Sequence, residues 1–377
     1  MQYRKFGKTD LEISALGFGC MRFPVIDGDS SKINKDEATA MLHYAIDNGV
    51  NYIDTAYPYH QKMSEPFVGE ALKGGYREKV KLATKLPIWL CEEYEDFNKL
   101  LDEQLEKLQT DYIDFYLVHA LNQNTWKKCK ELDVFSFLDR AIKDGKIKYA
   151  GFSFHDELDL FKEIVDAYDW TFAQIQLNYM DEDYQAGIEG MKYAADKNLA
   201  IVIMEPLKGG KLAKEPNKEI KEIWDKAETS RMPADWALRW VWNHPEVSLL
   251  LSGMSTMDQV KENIKTAEDA FVNSLSQKEI SLIDDVKDII KSKTKVDCTS
   301  CGYCIPCPED IAIPNIFSTY NAMYMYDIPE ESKDTYQRMT KADKHASKCV
   351  ECGNCEAQCP QNLPIIEHLK EAHKELA

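Results

Sequence analysis

The sequence has no long apolar run. Its longest apolar stretches, 199–206 and 247–254, are far shorter than the ~20 residues that a membrane-spanning helix needs. We interpret them as buried strands. Residues 1–14 are polar and lack the apolar core of a secretory signal. We therefore expect no membrane partner and a cytoplasmic location.

An excess of positive charge is also absent. The 46 lysines and arginines are outnumbered by 64 aspartates and glutamates, which gives a formal net charge of −18 over 377 residues. Nucleic acids attract basic surfaces, so we expect no nucleic-acid partner. The 44% of hydrophobic residues is enough to fill a sizeable globular core.

No Gly-x-Gly-x-x-Gly fingerprint follows the first apolar segment, because residues 16–23 lack the third glycine and lead into no helix. An open doubly wound sheet, the alternative architecture, is expected to carry that fingerprint. Short β-branched segments instead alternate with longer amphipathic ones, as in strand-helix units around a parallel sheet. Eight such units favour an α/β fold, a closed eight-stranded parallel (β/α)8 or TIM barrel. The predicted strands are 13–21, 51–56, 80–86, 113–120, 147–154, 172–179, 199–206 and 247–254.

Helix signals fill the gaps between these strands. In 33–49, four apolar residues share one face and Gly49 marks the end of a helix. Ser276 and Glu279 have the spacing of a capping box, which predicts a helix over 277–290. The polar residues 291–295 follow. We predict a domain boundary there, with a barrel over 1–292 and a second domain over 293–377.

Eight of the 11 cysteines lie between positions 298 and 359. In a long, apparently cytosolic chain, such clustering favours metal binding over disulfides. The second group has the Cys-x2-Cys-x2-Cys-x3-Cys-Pro spacing of bacterial four-iron four-sulfur sites, and the first is one residue shorter before its fourth cysteine. The later Cys-Pro can reach the other cluster. We predict two 4Fe-4S clusters held by Cys298, Cys301, Cys304, Cys307, Cys349, Cys352, Cys355 and Cys359.

Two zinc sites with four cysteines each are the alternative. Zinc needs neither the third closely spaced cysteine nor the Cys-Pro closure. Full thiolate ligation leaves no open iron position, so the clusters are expected to transfer electrons. The other role open to them is to stabilise a domain with few aliphatic residues.

Four polar residues stand at the predicted carboxyl ends of strands, where barrel active sites form. They are Asp54, Tyr59, Lys85 and His119. Each alone has an ordinary structural explanation, but together they fit proton donation to a carbonyl oxygen as hydride reaches its carbon. We expect Lys85 to lower the pKa of Tyr59, the general acid or base, while Asp54 holds Lys85 and His119 hydrogen-bonds the substrate oxygen.

With these residues in order, the sequence resembles the aldo-keto reductase family, specifically members with a C-terminal ferredoxin-like domain. The resemblance covers 3–23, 54–59, 151–153, 205–212 and 253–263, besides Lys85 and His119. It implies a TIM barrel, a mainly helical ferredoxin-like iron-sulfur domain, and an extended NADP or NAD cofactor. The four residues above would form its catalytic tetrad. The implied substrate is a small carbonyl compound or alcohol.

The resemblance also implies nucleotide contacts. Ser153 and Gln174 would bind the nicotinamide amide, with Met204 as a soft platform beneath the ring. The pyrophosphate would lie along Pro206, Leu207 and Gly209, and the adenosine beside Gln259 and Asn263. Where many members carry a basic residue for the 2′-phosphate, this sequence has 253–255 and Gln259. That favours NADH over NADPH, although Lys208 or Lys261 could reach a phosphate.

Two other functions stay open. The chain could be an electron-transfer component that couples the barrel to a redox partner protein, but hydride carries two electrons and no flavin motif is present to split them. It could instead be a nucleotide-sensing interaction module without turnover, which the complete tetrad disfavours.

Overall fold

The computed structural model describes all 377 residues, and contacts between Cα atoms divide it into two compact units. The first unit contains Met1–Pro206 and Ala237–Leu275, and the second contains Leu207–Trp236 and Ser276–Ala377. This division is discontinuous along the chain, whereas the predicted domain ranges are continuous. Those ranges remain a prediction.

The first unit opens with an antiparallel hairpin. Its strands β1 (Tyr3–Lys5) and β2 (Glu12–Ser14) pair so that Arg4 lies opposite Ile13. Residues 13 and 14 were predicted to start the first barrel strand, and this was wrong because the hairpin takes them. That prediction also ran too far, since Cys20–Arg22 forms a single turn of 3-10 helix.

Eight parallel strands then close the predicted barrel. They are β3 (Leu16–Gly19), β4 (Tyr52–Asp54), β5 (Lys81–Leu86), β6 (Ile113–Leu121), β7 (Ile147–Phe154), β8 (Phe172–Gln176), β9 (Ala200–Met204) and β10 (Val247–Gly253). Around the barrel the strands follow chain order from β3 to β9, and β10 closes the ring between β9 and β3.

Helices follow the strands in sequence, as the amphipathic segments indicate. The helices are α1 (Lys35–Asp47), α2 (Ser64–Ala71), α3 (Glu95–Leu108), α4 (Gln123–Glu131), α5 (Val134–Lys143), α6 (Leu158–Ala167), α7 (Gly187–Asp196), α8 (Lys218–Trp224), α9 (Pro233–Trp242), α10 (Met257–Glu268), α11 (Gln277–Lys293), α12 (Ile313–Met325), α13 (Pro329–Lys341), α14 (Asn354–Ala357) and α15 (Ile365–Leu376). The predicted apolar face of α1 is buried, and the capping box of Ser276 and Glu279 opens α11. No helix combines the length and the apolar character that crossing a membrane requires.

Aromatic side chains fill the barrel at the amino-terminal ends of its strands. Phe6, from the hairpin turn, is fully buried, and its ring centroid lies 4.6 Å from that of Phe115 and 5.5 Å from that of Phe172. The next residue, Gly7, has a φ of +51°, and a Cβ there would lie 2.5 Å from the backbone nitrogen of Ala200. Because the hairpin closes this end, the opposite, carboxyl-terminal end is the one available for a site.

The second unit has a core of its own. Its helices α12, α13 and α15 pack together around buried apolar residues that include Ile316, Phe317, Tyr336 and Leu369. Six of the eight clustered cysteines pack against this core. The aromatic segment 317–326, which the sequence places between the cysteine groups, lies mainly on α12. The cysteine-bearing segments are therefore attached to a helical scaffold.

Candidate active site and iron-sulfur sites

The four predicted catalytic residues lie at the carboxyl ends of three neighbouring strands. Asp54 is the last residue of β4, Lys85 is the penultimate residue of β5, and His119 is near the end of β6. Tyr59 follows β4 after a short loop. Because β4, β5 and β6 pair in parallel, residues far apart in sequence meet at one end of the barrel, as expected.

Lys85 is the centre of this group. Its Nζ lies 2.8 Å from both carboxylate oxygens of Asp54, 2.7 Å from the carbonyl oxygen of Thr55 and 3.4 Å from the hydroxyl of Tyr59. The lysine side chain is 0% exposed and that of Asp54 is 3% exposed. A buried ion pair contributes little net stability, but it fixes the position of both groups. The ammonium is thereby held against the phenol.

The pKa of Tyr59 differs from the expectation. Burial raises it well above its ordinary value, and the negative charge of Asp54 adds to the rise. The net shift of this pKa is therefore opposite to the predicted lowering. Desolvation of the buried phenol is the largest cause, and the nearby negative charge of Asp54 is the next. The phenol stays protonated near neutral pH, which is the state that a general acid needs.

His119 lies beside Tyr59, with the two ring centroids 6.3 Å apart in an edge-on arrangement. Burial lowers the pKa of His119 well below its usual value, and Lys85 and His155 lower it further. The imidazole is thus neutral. Its Nδ1 is buried and has no hydrogen-bond partner in the protein. A neutral ring with an unpartnered nitrogen suits a hydrogen bond to a bound molecule.

The three residues after Tyr59 have a left-handed backbone. His60, Gln61 and Lys62 have φ values of 52°, 51° and 72°, although none is glycine. Such positions cost of order 1–3 kcal/mol each and cluster at functional sites. Ser30 holds the turn, since its carbonyl oxygen lies 2.9 Å from His60 Nδ1 and its hydroxyl accepts from Gln61 Nε2 at 2.8 Å. Neither glycine nor asparagine occurs in this turn, so no residue type in the sequence predicts it.

Three further residues of the first unit act on the site and escaped prediction as catalytic neighbours. Arg22 is near enough to Tyr59 for its positive charge to oppose the rise of the tyrosine's pKa. The ring of Trp89 lies 5.1 Å from that of His119 and is partly exposed. His155 has a buried, unpartnered Nδ1. Only the position of His155 after β7 hinted at a role, because Arg22 and Trp89 lie in short 3-10 turns rather than at the end of a barrel strand.

The residues expected at a nicotinamide amide lie on adjacent strands. Ser153 pairs with Gln174 across β7 and β8, and the Ser153 hydroxyl accepts a hydrogen bond from the Ala120 N–H at 2.8 Å. Gln174 Nε2 donates to the sulfur of Met204 at 3.6 Å, while Gln174 Oε1 is buried without a partner. An amide donor would satisfy that oxygen. These residues therefore fit the carboxamide of a nicotinamide.

The other proposed nucleotide residues already have partners within the protein. Gln259 is exposed at the start of α10, and its Oε1 accepts from the Ser255 N–H at 2.8 Å. Asn263 is buried, and its amide donates to the Ser252 hydroxyl at 2.9 Å. Pro206 is buried and is the last residue of the first stretch of the first unit, whereas Leu207 and Gly209 belong to the second unit. Their role at a pyrophosphate remains a proposal.

The eight clustered cysteines form two groups, each drawn from both sequence motifs. Cys298, Cys301 and Cys304 line one cavity together with Cys359 from the second motif. A larger cavity of about 280 Å³ is lined by Cys349, Cys352 and Cys355 with Cys304 and Cys307 from the first motif. The fourth cysteine of each motif thus lies with the other motif's first three.

No three histidine, cysteine, aspartate or glutamate side chains converge closely enough to hold a single metal ion. Tetrahedral zinc requires four thiolates about 2.3 Å from one centre. Thiolates that instead surround a cavity are suited to a multi-iron cluster, which presents its irons at separate corners. The donor set fits iron-sulfur clusters better than zinc.

The fold and the site define a barrel oxidoreductase with a separate iron-sulfur region. Residues 15–288 match the model of the aldo/keto reductase family, and residues 297–364 match a 4Fe-4S dicluster domain. The first match spans more than half of the chain. This protein belongs to the aldo/keto reductase family and carries a C-terminal 4Fe-4S domain, as the sequence resemblance implied.

Known relatives match about three quarters of the chain. An uncharacterised oxidoreductase, YrpG of Bacillus subtilis, is 26% identical over 76% of this chain and 96% of its own length. L-galactose dehydrogenase of Arabidopsis thaliana is 24% identical over 78% of this chain and 97% of its own. The holo form of aldo-keto reductase AKR11C1 from Bacillus halodurans superposes with a TM-score of 0.63 at 26% identity, covering 76% of this chain and 96% of that one.

Proposed function

We propose that the chain interconverts a small carbonyl compound and an alcohol with NAD(P)(H), using Tyr59 as the general acid or base. The observation that carries this proposal is the buried contact of Tyr59 with Lys85, which is itself held by Asp54. The neutral His119 alongside supports the same assignment. A bound nicotinamide would supply hydride for reduction or accept it in the reverse direction.

In the reducing direction, the Tyr59 hydroxyl donates its proton to the carbonyl oxygen while hydride is delivered to the carbonyl carbon. His119 orients that oxygen through a ring N–H. The ammonium of Lys85 stabilises the phenolate left on Tyr59, and Asp54 keeps the ammonium in place. Oxidation of an alcohol uses the same groups in reverse, with Tyr59 as the base.

NADH is the proposed nucleotide. Of the two lysines that could bind a 2′-phosphate, Lys208 is already close to a carboxylate, because its Nζ lies 3.7 Å from Asp297 Oδ1. Gln259, exposed at the expected adenosine end, is uncharged, and its Oε1 accepts a hydrogen bond from the Ser255 N–H. This arrangement supports NADH over NADPH.

For the second unit we propose two 4Fe-4S clusters, the first held by Cys298, Cys301, Cys304 and Cys359, the second by Cys307, Cys349, Cys352 and Cys355. The two cavities and their mixed lining support this assignment. Cys352 is exposed, which favours exchange of single electrons with a redox partner protein over a purely stabilising role.

The proposed activity is tested by anaerobic kinetics on a panel of aldehydes, ketones and alcohols with both nucleotides. We expect Tyr59→Phe to lower kcat by about 10²-fold or more while nucleotide binding, followed by fluorescence titration, is unchanged. Tyr57→Phe, in the same loop, is the matched control. Normal turnover by Tyr59→Phe on every accepted carbonyl would refute the mechanism, and tight nucleotide binding without any turnover would favour a sensing module.

A further inference from the structure

The segment 207–212 contains Leu207 and Gly209, two of the residues proposed to contact the pyrophosphate, and it packs within the second unit against the residues that lead into the first cysteine group. Gly209 has a φ of +66°, and a Cβ there would lie 2.0 Å from the carbonyl oxygen of Thr299. The two backbones are in direct contact, so a shift of one displaces the other. Thr299 directly follows Cys298.

Two lysines of this segment contact the two residues that precede Cys298. Lys211 Nζ donates to the carbonyl oxygen of Val296 at 3.3 Å, and Lys208 Nζ lies 3.7 Å from Asp297 Oδ1. Val296 and Asp297 immediately precede Cys298. The ammonium of Lys211 is also near enough to Cys298 for the two charges to interact. Positive charge is therefore placed beside the first proposed ligand of the first iron-sulfur site.

Reduction of an iron-sulfur cluster adds one negative charge. A nearby cation stabilises the reduced state and raises the reduction potential, and net charge and hydrogen bonding around the cysteines are known to set such potentials. Charge interactions are stronger where water is excluded, and Lys208 is only 4% exposed. An anion brought to the same segment would act in the opposite direction.

We propose that Lys211, assisted by Lys208, raises the reduction potential of the first iron-sulfur site, and that a pyrophosphate bound at 207–212 lowers that potential. The lysine part needs only the second unit and its clusters. The pyrophosphate part rests on the proposed function. The segment thus acts as an electrostatic link between nucleotide occupancy and the electron affinity of the nearer cluster.

The lysine part is tested by an anaerobic redox titration of the full, cluster-loaded chain, followed by electron paramagnetic resonance. Lys211→Gln and Lys208→Gln should shift the potential of one site to more negative values and leave the other site unchanged. Lys211→Arg should retain the parent value. Lys218→Gln removes the same charge from a side chain that is 90% exposed in the same unit, and it should cause no shift.

Iron and sulfide content shows which variants load their clusters. If Lys211→Gln does not take up its clusters, the reduction potentials of Lys208→Gln and Lys211→Arg test the lysine part instead. An unchanged potential in every loaded glutamine variant overturns the lysine part, as does an equal shift in Lys218→Gln.

The pyrophosphate part is tested with ADP-ribose, which has the pyrophosphate but no nicotinamide to exchange electrons. Calorimetry establishes binding, and the redox titration is repeated at saturation. A negative shift of the same site supports the proposal, and binding without a shift overturns this part. Absence of ADP-ribose binding would refute the proposed nucleotide site, while the lysine variants would still report on the lysine part alone.

Discussion

The Lys85 ammonium lies 2.8 Å from both carboxylate oxygens of Asp54, and the two side chains come from adjacent strands with almost no exposure to solvent. Neither charge is tolerable there without the other. The pair therefore links stability to catalysis, since the same contact that neutralises Asp54 places the ammonium against Tyr59.

Breaking this pair should destabilise the barrel strongly. Asp54→Asn leaves an uncompensated ammonium and is expected to cost about 3–5 kcal/mol of unfolding free energy, together with activity. The double variant Asp54→Asn/Lys85→Met should cost less than Asp54→Asn alone. Urea unfolding measures both. Lys79→Met, which breaks an exposed pair with Asp47, serves as the control, and equal losses in this variant and Asp54→Asn would contradict the burial argument.

The activity should depend on pH in opposite ways for the two directions. Because burial raises the pKa of Tyr59, the phenol stays protonated through neutral and mildly alkaline pH. Carbonyl reduction should then show no loss from Tyr59 ionisation below pH about 10. Alcohol oxidation needs the phenolate and should rise with pH over that range. Initial rates in both directions test this, and a reduction rate that falls between neutrality and pH about 9 would contradict a raised pKa.

Stability should fall in acid partly through His155. Burial lowers its pKa from 6.5 to about 4. The unfolded chain binds a proton at higher pH than the native one, so the stabilisation present above pH 6.5 is lost as pH falls toward about 4. The loss is on the order of 3 kcal/mol. Denaturant unfolding across this interval should show a smaller pH dependence in His155→Gln, and an identical slope would exclude this histidine as a cause.

Each of the two cavities is lined by cysteines from both sequence motifs, so we expect mutation of a motif's fourth cysteine to damage the site formed mainly by the other motif. Cys359→Ser should damage the site formed with Cys298, Cys301 and Cys304, although it lies in the second motif. Cys307→Ser should damage the other site. Iron content and the electron paramagnetic resonance signal of each cluster would show which site is lost. Cys91→Ala, outside both groups, should keep both signals. If each serine variant instead lost the site of its own motif, the assignment would be wrong.

Alanine substitutions at two adjacent glycines distinguish the energetic cost of backbone strain from that of close packing. Gly209 and Gly210 have φ values of +66° and +86°, but only Gly209 has backbone within contact distance of a Cβ. Gly210→Ala should lower the free energy of unfolding by about 1 kcal/mol. Gly209→Ala should lower it by about 2 kcal/mol more, or prevent folding. Chemical unfolding followed by circular dichroism compares the two. Equal losses of unfolding free energy would show that the backbone at Thr299 can move away from an added Cβ without an energetic cost.

Local sequence patterns were enough to predict the barrel and the cysteine motifs, because periodic burial and ligand spacing are properties of short segments. The eight barrel strands, the helix α1 with its stop at Gly49 and the capping box before α11 all followed from short-range patterns. The first strand was misplaced because nothing local distinguishes an antiparallel hairpin from a parallel strand at 13–14.

The direction of the Tyr59 pKa shift could not be predicted from local patterns, because it depends on how deeply the fold buries the phenol and on how close it brings Asp54. The left-handed turn at 60–62 also had no local signal in the sequence. The exchange of the fourth cysteines between the groups, by contrast, was anticipated from the Cys-Pro that closes each motif. Spacing along a chain specifies which groups are available. Desolvation and long-range contacts, which no local pattern encodes, specify their charge states and their partners.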